Sequence, residues 1–344
     1  MCFSLFMCSY THAVLYYGLM CGTSGIIASM NSNFWQNLKK PFFVLAPMED
    51  VTDTVFRRMV IKFGRPDVFF TEFTSVEGMF SPGSMEVAKR LKYTSEELPL
   101  IAQLWGVNPE NFRKAASLIA DLGFTGIDIN MGCPVRKIIK TGGCSALIRT
   151  PDLAKEIFLA TKEGAKGLPV SVKTRIGFKS IDTENWIGEV LAWKPDALTV
   201  HGRTVAELSK VPCHWDEIGR AVKLRDEISP ETVVVGNGDV KSVNEGKELA
   251  ARWGVDGVMI GRGVFENPFV FREDAGVSAD LRDRLEMVRG HVLLHREVWG
   301  DNHNFNPLKK FFKMYIRGFD GAANIRDEMM RMSTIDEILL YIDS

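Results

Sequence analysis

Short apolar runs alternate with longer segments of helical periodicity along most of this chain. Eight of these runs are rich in aliphatic and β-branched residues and have lengths that suit a strand. They span residues 42–48, 68–73, 100–106, 126–132, 170–177, 197–203, 232–238 and 257–263. Near-continuous apolar strands separated by helices predict a parallel sheet that is covered on its outer face.

The helical segments between the runs carry start and stop signals. Asn108 can cap a helix whose first residue is Pro109, and Gly123 marks its end. A later segment of the same kind stops at Gly164. Eight strand–helix units favour a closed barrel over an open doubly wound sheet, which rarely contains so many regular units. The predicted fold class is therefore α/β, a (β/α)8 TIM barrel with a small C-terminal all-helical domain.

Composition divides the chain into three parts. Residues 1–38 contain no Asp, Glu, Lys or Arg, and we interpret them as a non-native extension, with translation beginning at Met30. A weak membrane anchor is the alternative, although the best apolar stretch is shorter than the roughly 20 residues of a span. Residues 39–277 are predicted to form the catalytic barrel. Residues 278–344 show helical spacing without strand-like runs and predict a helical domain.

Charge and cysteine content exclude several classes of protein. The 344 residues carry a formal net charge of -1, so any contact with RNA must be a local patch rather than a generally basic surface. The six cysteines include no C-x-x-C pair, which argues against a zinc site and against a disulfide framework. We expect no metal, a reducing compartment, a cytoplasmic location and no membrane association.

Polar or special residues interrupt seven of the apolar runs at their last positions. These positions are Pro47 and Met48, Gln103, Asn130 to Cys133, Lys173 and Arg175, His201 and Arg203, Asn237 to Asp239, and Gly261 to Gly263. In a barrel of parallel strands the carboxyl ends meet at one mouth, where catalytic groups gather. The sequence therefore predicts the functional site at this mouth.

The last two strand ends suggest a phosphorylated cofactor. Glycines in "GNGD" and "GRG" would let backbone N–H groups approach phosphate oxygens, and Arg262 could add a charged contact. Lys173 would place a cation deep in the mouth, where it could stabilise the edge of a flavin that becomes negative on reduction. The alternative is a structural lysine paired with Asp128 or Glu72.

The motifs "LAPMEDVTDTVFRR", "DINMGCP", "VKTRIG", "HGRT", "GNGDV" and "GVMIGRG" occur in this order from residue 45 to residue 263. Together they resemble the tRNA-dihydrouridine synthase family. The resemblance implies an FMN-dependent oxidoreductase that saturates the C5=C6 bond of specific uridines in tRNA. It also implies NADPH or NADH as a transient reductant, with tRNA as the partner and no stable protein partner.

The same resemblance assigns roles to individual residues. It makes Cys133 the acid that protonates C5, and a thiol with an ordinary pKa of about 8.5 would be mostly protonated at pH 7. Asn130 and Arg175 would face the uracil. The implied cofactor residues are Pro47, Met48, Gln103, Lys173, His201, Asn237, Gly238, Asp239, Gly261 and Arg262. Cys144, the rival thiol, is interpreted as a small residue at a tight helix contact.

Basic residues recur in the C-terminal part. Lys309, Lys313 and Arg317 are spaced i, i+4, i+8, which predicts one stripe on a helix, with Lys310 beside it. The resemblance implies that this part binds tRNA, whereas the plain alternative is a solvated helix face.

Two other functions stay open at this point. A barrel that resembles dihydroorotate dehydrogenase would act on a free pyrimidine and would not need the helical domain. A non-catalytic FMN- or RNA-binding barrel would tolerate replacement of Cys133 by alanine.

Overall fold

The computed structural model describes residues 33–274, 280–301 and 303–344. Most of the predicted N-terminal extension, residues 1–32, lies outside the described residues. None of the helices in the described ranges is both long enough and apolar enough to cross a membrane.

The described chain contains a nine-stranded parallel sheet in the order β1-β9-β8-β7-β6-β5-β4-β2, with β3 also paired to β4. The strands are β1 (Phe42–Leu45), β2 (Phe69–Phe70), β3 (Thr74–Ser75), β4 (Leu100–Trp105), β5 (Gly126–Met131), β6 (Val170–Arg175), β7 (Ala197–His201), β8 (Val233–Asn237) and β9 (Gly257–Ile260). A bridge between Val44 and Val68 joins the two ends of this order. The predicted barrel is thereby confirmed.

The second predicted strand differs in detail from the expectation. The apolar run 68–73 forms the very short β2, and β3 follows it after a gap. Both pair with β4, at Leu100 and Ile101 for β2 and at Leu104 and Trp105 for β3. Two short strands therefore occupy one position of the barrel, and the number of barrel positions stays at the eight that the apolar runs predict.

Helices cover the outside of the barrel and continue beyond it. The barrel helices are α1 (Thr54–Phe63), α2 (Val76–Met79), α3 (Ser84–Ala88), α4 (Pro109–Asp121), α5 (Arg136–Lys140), α6 (Pro151–Gly164), α7 (Gly188–Ala192), α8 (Trp215–Ile228), α9 (Val243–Trp253) and α10 (Gly263–Glu266). Asn108 caps α4 as predicted, since its side chain accepts a hydrogen bond from the Asn111 N–H. Gly164 is the last residue of α6, and glycine is required there because a Cβ would lie 2.0 Å from the Arg113 carbonyl oxygen of α4.

The far end of the barrel is closed by a 3-10 turn, Phe34–Asn37, that precedes β1. Phe34 and Trp35 belong to an apolar cluster with strand residues such as Val44 and Phe70. The Trp35 ring lies 5.9 Å from that of Phe42, centroid to centroid, and its side chain is 1% exposed. Phe34 and Trp35, which the composition places in the extension, thus pack against the barrel interior.

Replacement of Trp35 by alanine should destabilise the barrel by about 3–5 kcal/mol, because it removes a fully buried aromatic side chain from the closed end. Urea unfolding followed by circular dichroism measures this change. Phe80→Ala is the matched control, since Phe80 is 40% exposed and its loss should cost far less. Equal destabilisation by the two variants would contradict the packing role of Trp35.

The chain after the barrel is helical in its described part, with α11 (Leu281–Trp299), α12 (Lys309–Tyr315), α13 (Ala322–Arg331) and α14 (Ile335–Asp343). These helices pack on the side of the barrel that carries α1. The ring of Phe311 in α12 stacks on Phe56 of α1, with centroids 5.0 Å apart. Lys92 donates to the Val298 carbonyl oxygen near the end of α11.

The predicted basic stripe is wrong in one respect. Helix α12 ends at Tyr315, where Ile316 leaves helical geometry with φ -94 and ψ 84, so Arg317 is not on the helix. Arg317 instead donates to the carbonyl oxygen of Phe265 in α10, at 3.0 Å. Lys309 and Lys313 remain on α12, and Lys309 is partly engaged because its Nζ donates to the Met330 carbonyl oxygen at 3.0 Å. Lys310 and Arg317 therefore contact the barrel, whereas Lys309 contacts α13.

Candidate active site

The strand register brings the predicted polar residues together at the carboxyl end of the barrel. Asn130 of β5 lies beside Lys173 of β6, and Gln103 of β4 lies beside Asp128 of β5. His201 of β7 pairs with Arg175 on one side and with Asn237 on the other. The predicted site residues of five neighbouring strands thus line one continuous arc of the mouth.

Four buried side chains of β4, β5 and β6 are joined by hydrogen bonds. Gln103 Nε2 donates to Asp128 Oδ2 at 2.8 Å, and Asn130 Nδ2 donates to Gln103 Oε1 at 2.9 Å. Ser171 Oγ donates to the other oxygen, Asp128 Oδ1, at 2.7 Å. Gln103 and Asp128 have no exposed surface. Gln103 and Asn130, which the resemblance assigns to flavin and uracil, thus already contact each other.

The loop after β5 carries Cys133 and is held from below by Asn130. Asn130 Oδ1 accepts the backbone N–H groups of Gly132 and Cys133, each at 3.0 Å. Ser145 Oγ donates to the Cys133 carbonyl oxygen at 2.7 Å and ties the loop to the 3-10 helix Cys144–Arg149. Both the backbone N–H and the carbonyl oxygen of Cys133 are therefore hydrogen-bonded, which fixes the loop that carries the thiol.

The Cys133 thiol is more acidic than the sequence predicts. A hydrogen bond from the buried Cys144 thiol lowers the pKa of Cys133 to about 7, and the backbone N–H of Val135 and the charge of Arg175 act in the same direction against burial. Burial raises the pKa of Cys144 well above its ordinary value, so Cys144 is the partner that keeps its proton. The expectation of an unperturbed, mostly protonated Cys133 is wrong, and Cys144 is more than a small packing residue.

Replacement of Cys144 by alanine should raise the pKa of Cys133 by about one unit or more, because a hydrogen bond to a charged group contributes about 1.5–3 kcal/mol. The measurement is the rate of iodoacetamide alkylation against pH, read on the Cys133 peptide by mass spectrometry. The midpoint of about 7 should move upward. Cys213→Ala, which removes a more distant thiol, is the control, and an unmoved midpoint in Cys144→Ala would refute the hydrogen bond.

Cations gather around His201 at the end of β7, one strand beyond β6, which pairs with the strand that precedes Cys133. Burial holds the pKa of His201 well below its ordinary value, and the charges of Lys173, Arg175, Arg203 and Arg262 lower it further. Burial also lowers the pKa of Lys173 to about 8, with Arg175 acting in the same direction. A neutral histidine among four cationic side chains indicates a site that is electropositive and suited to an anion.

Arg175 ties two loops of the mouth together. Its Nε donates to the Gly132 carbonyl oxygen at 2.8 Å, beside Cys133. Its Nη1 donates to the carbonyl oxygens of Thr204 and Leu208, at 3.0 and 3.1 Å, in the loop after β7. Three of its five N–H donors are thereby used within the described protein, which leaves Nη2 for any substrate contact.

The ends of β8 and β9 form a second polar group. Gly238 has φ 139, and a Cβ there would lie 2.4 Å from Cys213 Sγ, so the position requires glycine. Asp239 forms ion pairs with Arg203 and Arg262. Gly261 lies beside Met48, where a Cβ would be 3.9 Å from the sulfur, and the Arg262 side chain is 63% exposed. The strand ends therefore place Gly238 against Cys213 and leave space beside Gly261, next to Arg203 and Arg262, which both pair with Asp239.

Sequence reasoning names Arg203 and Asp128 but missed what their side chains contact. Arg203, which is 2% exposed, donates to the Val211 carbonyl oxygen and pairs with Asp239, so it shapes the loop after β7. Asp128 was considered only as a possible partner of Lys173, whereas its hydrogen bonds go to Gln103 and Ser171. The strand pattern could have indicated Asp128, since a carboxylate in a fully apolar run needs internal partners.

Comparisons with known proteins agree with this geometry. The family model of Dihydrouridine synthase (Dus) matches residues 44–342. A "Probable tRNA-dihydrouridine synthase 2" of Bacillus subtilis (strain 168) is 47% identical over 317 residues, which cover 91% of this chain and 97% of that protein. A "Probable tRNA-dihydrouridine synthase" of Staphylococcus aureus (strain COL) is 46% identical, over 91% of this chain and 96% of that protein.

Among solved structures, an old yellow enzyme homologue from Zymomonas mobilis matches with a TM-score of 0.46 and 13% identity, over 70% of this chain and 90% of that one. The family match runs from Val44, within β1, to Ile342, within α14. The chain belongs to the dihydrouridine synthase (Dus) family.

Proposed function

We propose that this protein is an FMN-dependent oxidoreductase that reduces the C5=C6 bond of uridines in tRNA to dihydrouridine, with NADPH or NADH as the reductant. One observation carries the proposal. The acidic thiol of Cys133 and the cationic group around His201 lie at the same mouth, at the ends of β5 and β7, which both pair with β6. Family membership and the names of the relatives support the choice of substrate. We assign the activity to the cytoplasm as part of the same proposal.

The residues at the mouth fit FMN. The Nζ of Lys173 donates to Asn237 Oδ1 at 3.2 Å within the described protein, which leaves two N–H donors for an anionic edge of a ligand. Gly238, Gly261 and the exposed Arg262 would hold the phosphate, with Asn237 and Asp239 setting the loop. Pro47 and Met48 would border the ring, and Gln103 and His201 would contact its polar edge. When bound, FMN supplies the electron pair that saturates the pyrimidine.

The chain itself supplies the proton. Cys133 gives its S–H proton to C5 of the uracil and is left as a thiolate, which the Cys144 hydrogen bond and the Arg175 charge stabilise. Asn130 keeps the Cys133 loop in place, and the free Nη2 of Arg175 would contact the uracil. A pKa near 7 means that the donor is strong enough to act while a large share of the enzyme still holds the proton at neutral pH.

We propose that residues 278–344 form the tRNA-binding part and that Lys309, Lys313 and Arg317 contact phosphates. Arg317 contacts α10, which follows the last barrel strand, and Lys310 donates to the Asp50 carbonyl oxygen in the loop after β1. These basic residues therefore border the mouth from the helical side. A uridine that reaches the mouth must leave its RNA stack, and contacts to the neighbouring backbone would offset that cost.

The proposal is tested with purified protein, unmodified tRNA transcripts and NADPH or NADH. We expect a yellow protein and a gain of two hydrogen atoms at defined uridines, detected by nucleoside mass spectrometry. Free uracil and orotate are the comparison substrates. A colourless protein that binds no added FMN, or reduction of the free pyrimidines in place of tRNA, would overturn the proposal.

A further inference from the structure

We infer that Asp128 is a positioning residue, which sets the orientation of the Gln103 and Asn130 carboxamides and through them the loop that presents Cys133. The inference rests on the proposed function, because it concerns the thiol that donates the proton. Asp128 itself lies on β5, five positions before Cys133, and has no exposed surface.

The hydrogen bonds run in one direction from the loop to the carboxylate. The Gly132 and Cys133 N–H groups donate to Asn130 Oδ1, Asn130 Nδ2 donates to Gln103, and Gln103 Nε2 donates to Asp128. Both ends of this chain are chemically fixed at pH 7 and above, because burial raises the pKa of Asp128 only to about 6 and the carboxylate is ionised there. Backbone N–H groups are donors only, and an ionised carboxylate is an acceptor only. A reversed amide anywhere between them would set two donors or two acceptors against each other.

Gln103 Nε2 is buried and needs a hydrogen-bond acceptor, which Asp128 supplies. An unpaired amide N–H in this buried place would cost about 1–3 kcal/mol, which is enough for the Gln103 side chain to rotate in search of a partner. Rotation would remove the acceptor of Asn130 Nδ2 and release Asn130 Oδ1 from the loop. Ser171 holds the second carboxylate oxygen and so prevents Asp128 from turning away.

Two uncharged replacements of similar size separate this role from a simple effect of charge. Asp128→Asn keeps an acceptor oxygen for Gln103, and its NH2 group can face Ser171, whose Oγ can still donate to the Ile127 carbonyl oxygen at 3.3 Å. Asp128→Leu offers no acceptor. If charge alone mattered, both variants would change Cys133 equally. If the hydrogen bond matters, they differ.

The first readout is the pH midpoint of Cys133 alkylation, which needs no turnover. We expect Asp128→Leu to move the midpoint from about 7 towards that of a free thiol, and Asp128→Asn to leave it in place. In steady-state assays with tRNA, Asp128→Leu should lower kcat roughly 10- to 100-fold with little change in KM, and Asp128→Asn should restore most of the rate. Glu227→Leu, which replaces an exposed carboxylate of α8, is the control.

An unmoved midpoint in Asp128→Leu, or a midpoint in Asp128→Asn that moves as far as in Asp128→Leu, would overturn the inference. If Asp128→Leu does not fold, Gln103→Leu takes its place, because it interrupts the same chain one step closer to the loop and should raise the midpoint equally. The alkylation result stands even if wild-type protein reduces no tRNA, so failure of the proposed function is distinguished from failure of this role.

Discussion

Replacement of Cys133 by alanine is expected to lower the rate of dihydrouridine formation by roughly 10²- to 10⁴-fold, the usual contribution of a positioned general acid. The thiol sits on a loop fixed by Asn130 and Ser145, and its pKa of about 7 suits proton donation at neutral pH. Alanine leaves the loop contacts in place, because they involve the backbone of Cys133. The variant should therefore keep its fold and its FMN but lack the proton donor.

The measurement is a single-turnover reaction with chemically reduced protein and excess enzyme over tRNA, sampled at early times. Cys133→Ser should also be slow, since a hydroxyl is a much weaker acid than a thiol. Cys213→Ala is the matched cysteine control, because burial raises the pKa of Cys213 to about 12 and this thiol cannot serve as the acid in the same way. Undiminished turnover in Cys133→Ala would remove the thiol from the mechanism.

Replacement of Lys173 by methionine is expected to slow the reduction of bound flavin by NADPH by roughly 10²- to 10³-fold, the usual cost of losing one stabilising donor at a developing negative charge. Lys173 is half-buried at the mouth and donates to Asn237. Its ammonium is the charged group that can reach an anionic edge there, and methionine preserves the length of the side chain without the charge.

The rate of flavin reduction should depend on pH through the charge of Lys173. Burial lowers the pKa of Lys173 to about 8, so the charge is present below pH 8 and is lost as the pH rises through that value. Wild-type flavin reduction, followed without tRNA so that Cys133 plays no part, should lose rate above about pH 8. Lys173→Met should not show this loss of rate, and Lys179→Met, at an exposed position, should behave as wild type. If Lys173→Met still loses rate above that pH, the titrating group is a residue other than Lys173.

The elements of the barrel are local in origin, which is why the sequence predicts them. Each strand run is apolar over its own length, and Asn108 with Pro109 marks the start of α4 within two residues. The end of α12 at Tyr315 was less visible, because a glycine at position 318 is compatible with a helix that reaches Arg317. Trp35 was missed because its partners, Phe42 and Phe70, become neighbours when the barrel closes.

Some features of the site likewise follow from the local sequence, and others depend on contacts between distant segments. That polar residues at strand ends meet at one mouth follows from the barrel alone. Their mutual contacts depend on strand register, which the pattern does not specify, so the bond between Gln103 and Asn130 could not be foreseen. The acidity of Cys133 depends on a turn with positive φ at Gly142 and Cys144, which brings a second thiol to the first. Contacts between distant segments account for most of what the sequence left open.

The most direct test of the central claim is a map of dihydrouridine in tRNA from cells that carry the gene and from cells that lack it. We predict that dihydrouridine disappears from at least one tRNA position in the deletion strain. The wild-type gene should restore it and the Cys133→Ala gene should not. A modification map that is identical with and without the gene would contradict the claim that this protein reduces uridine in tRNA.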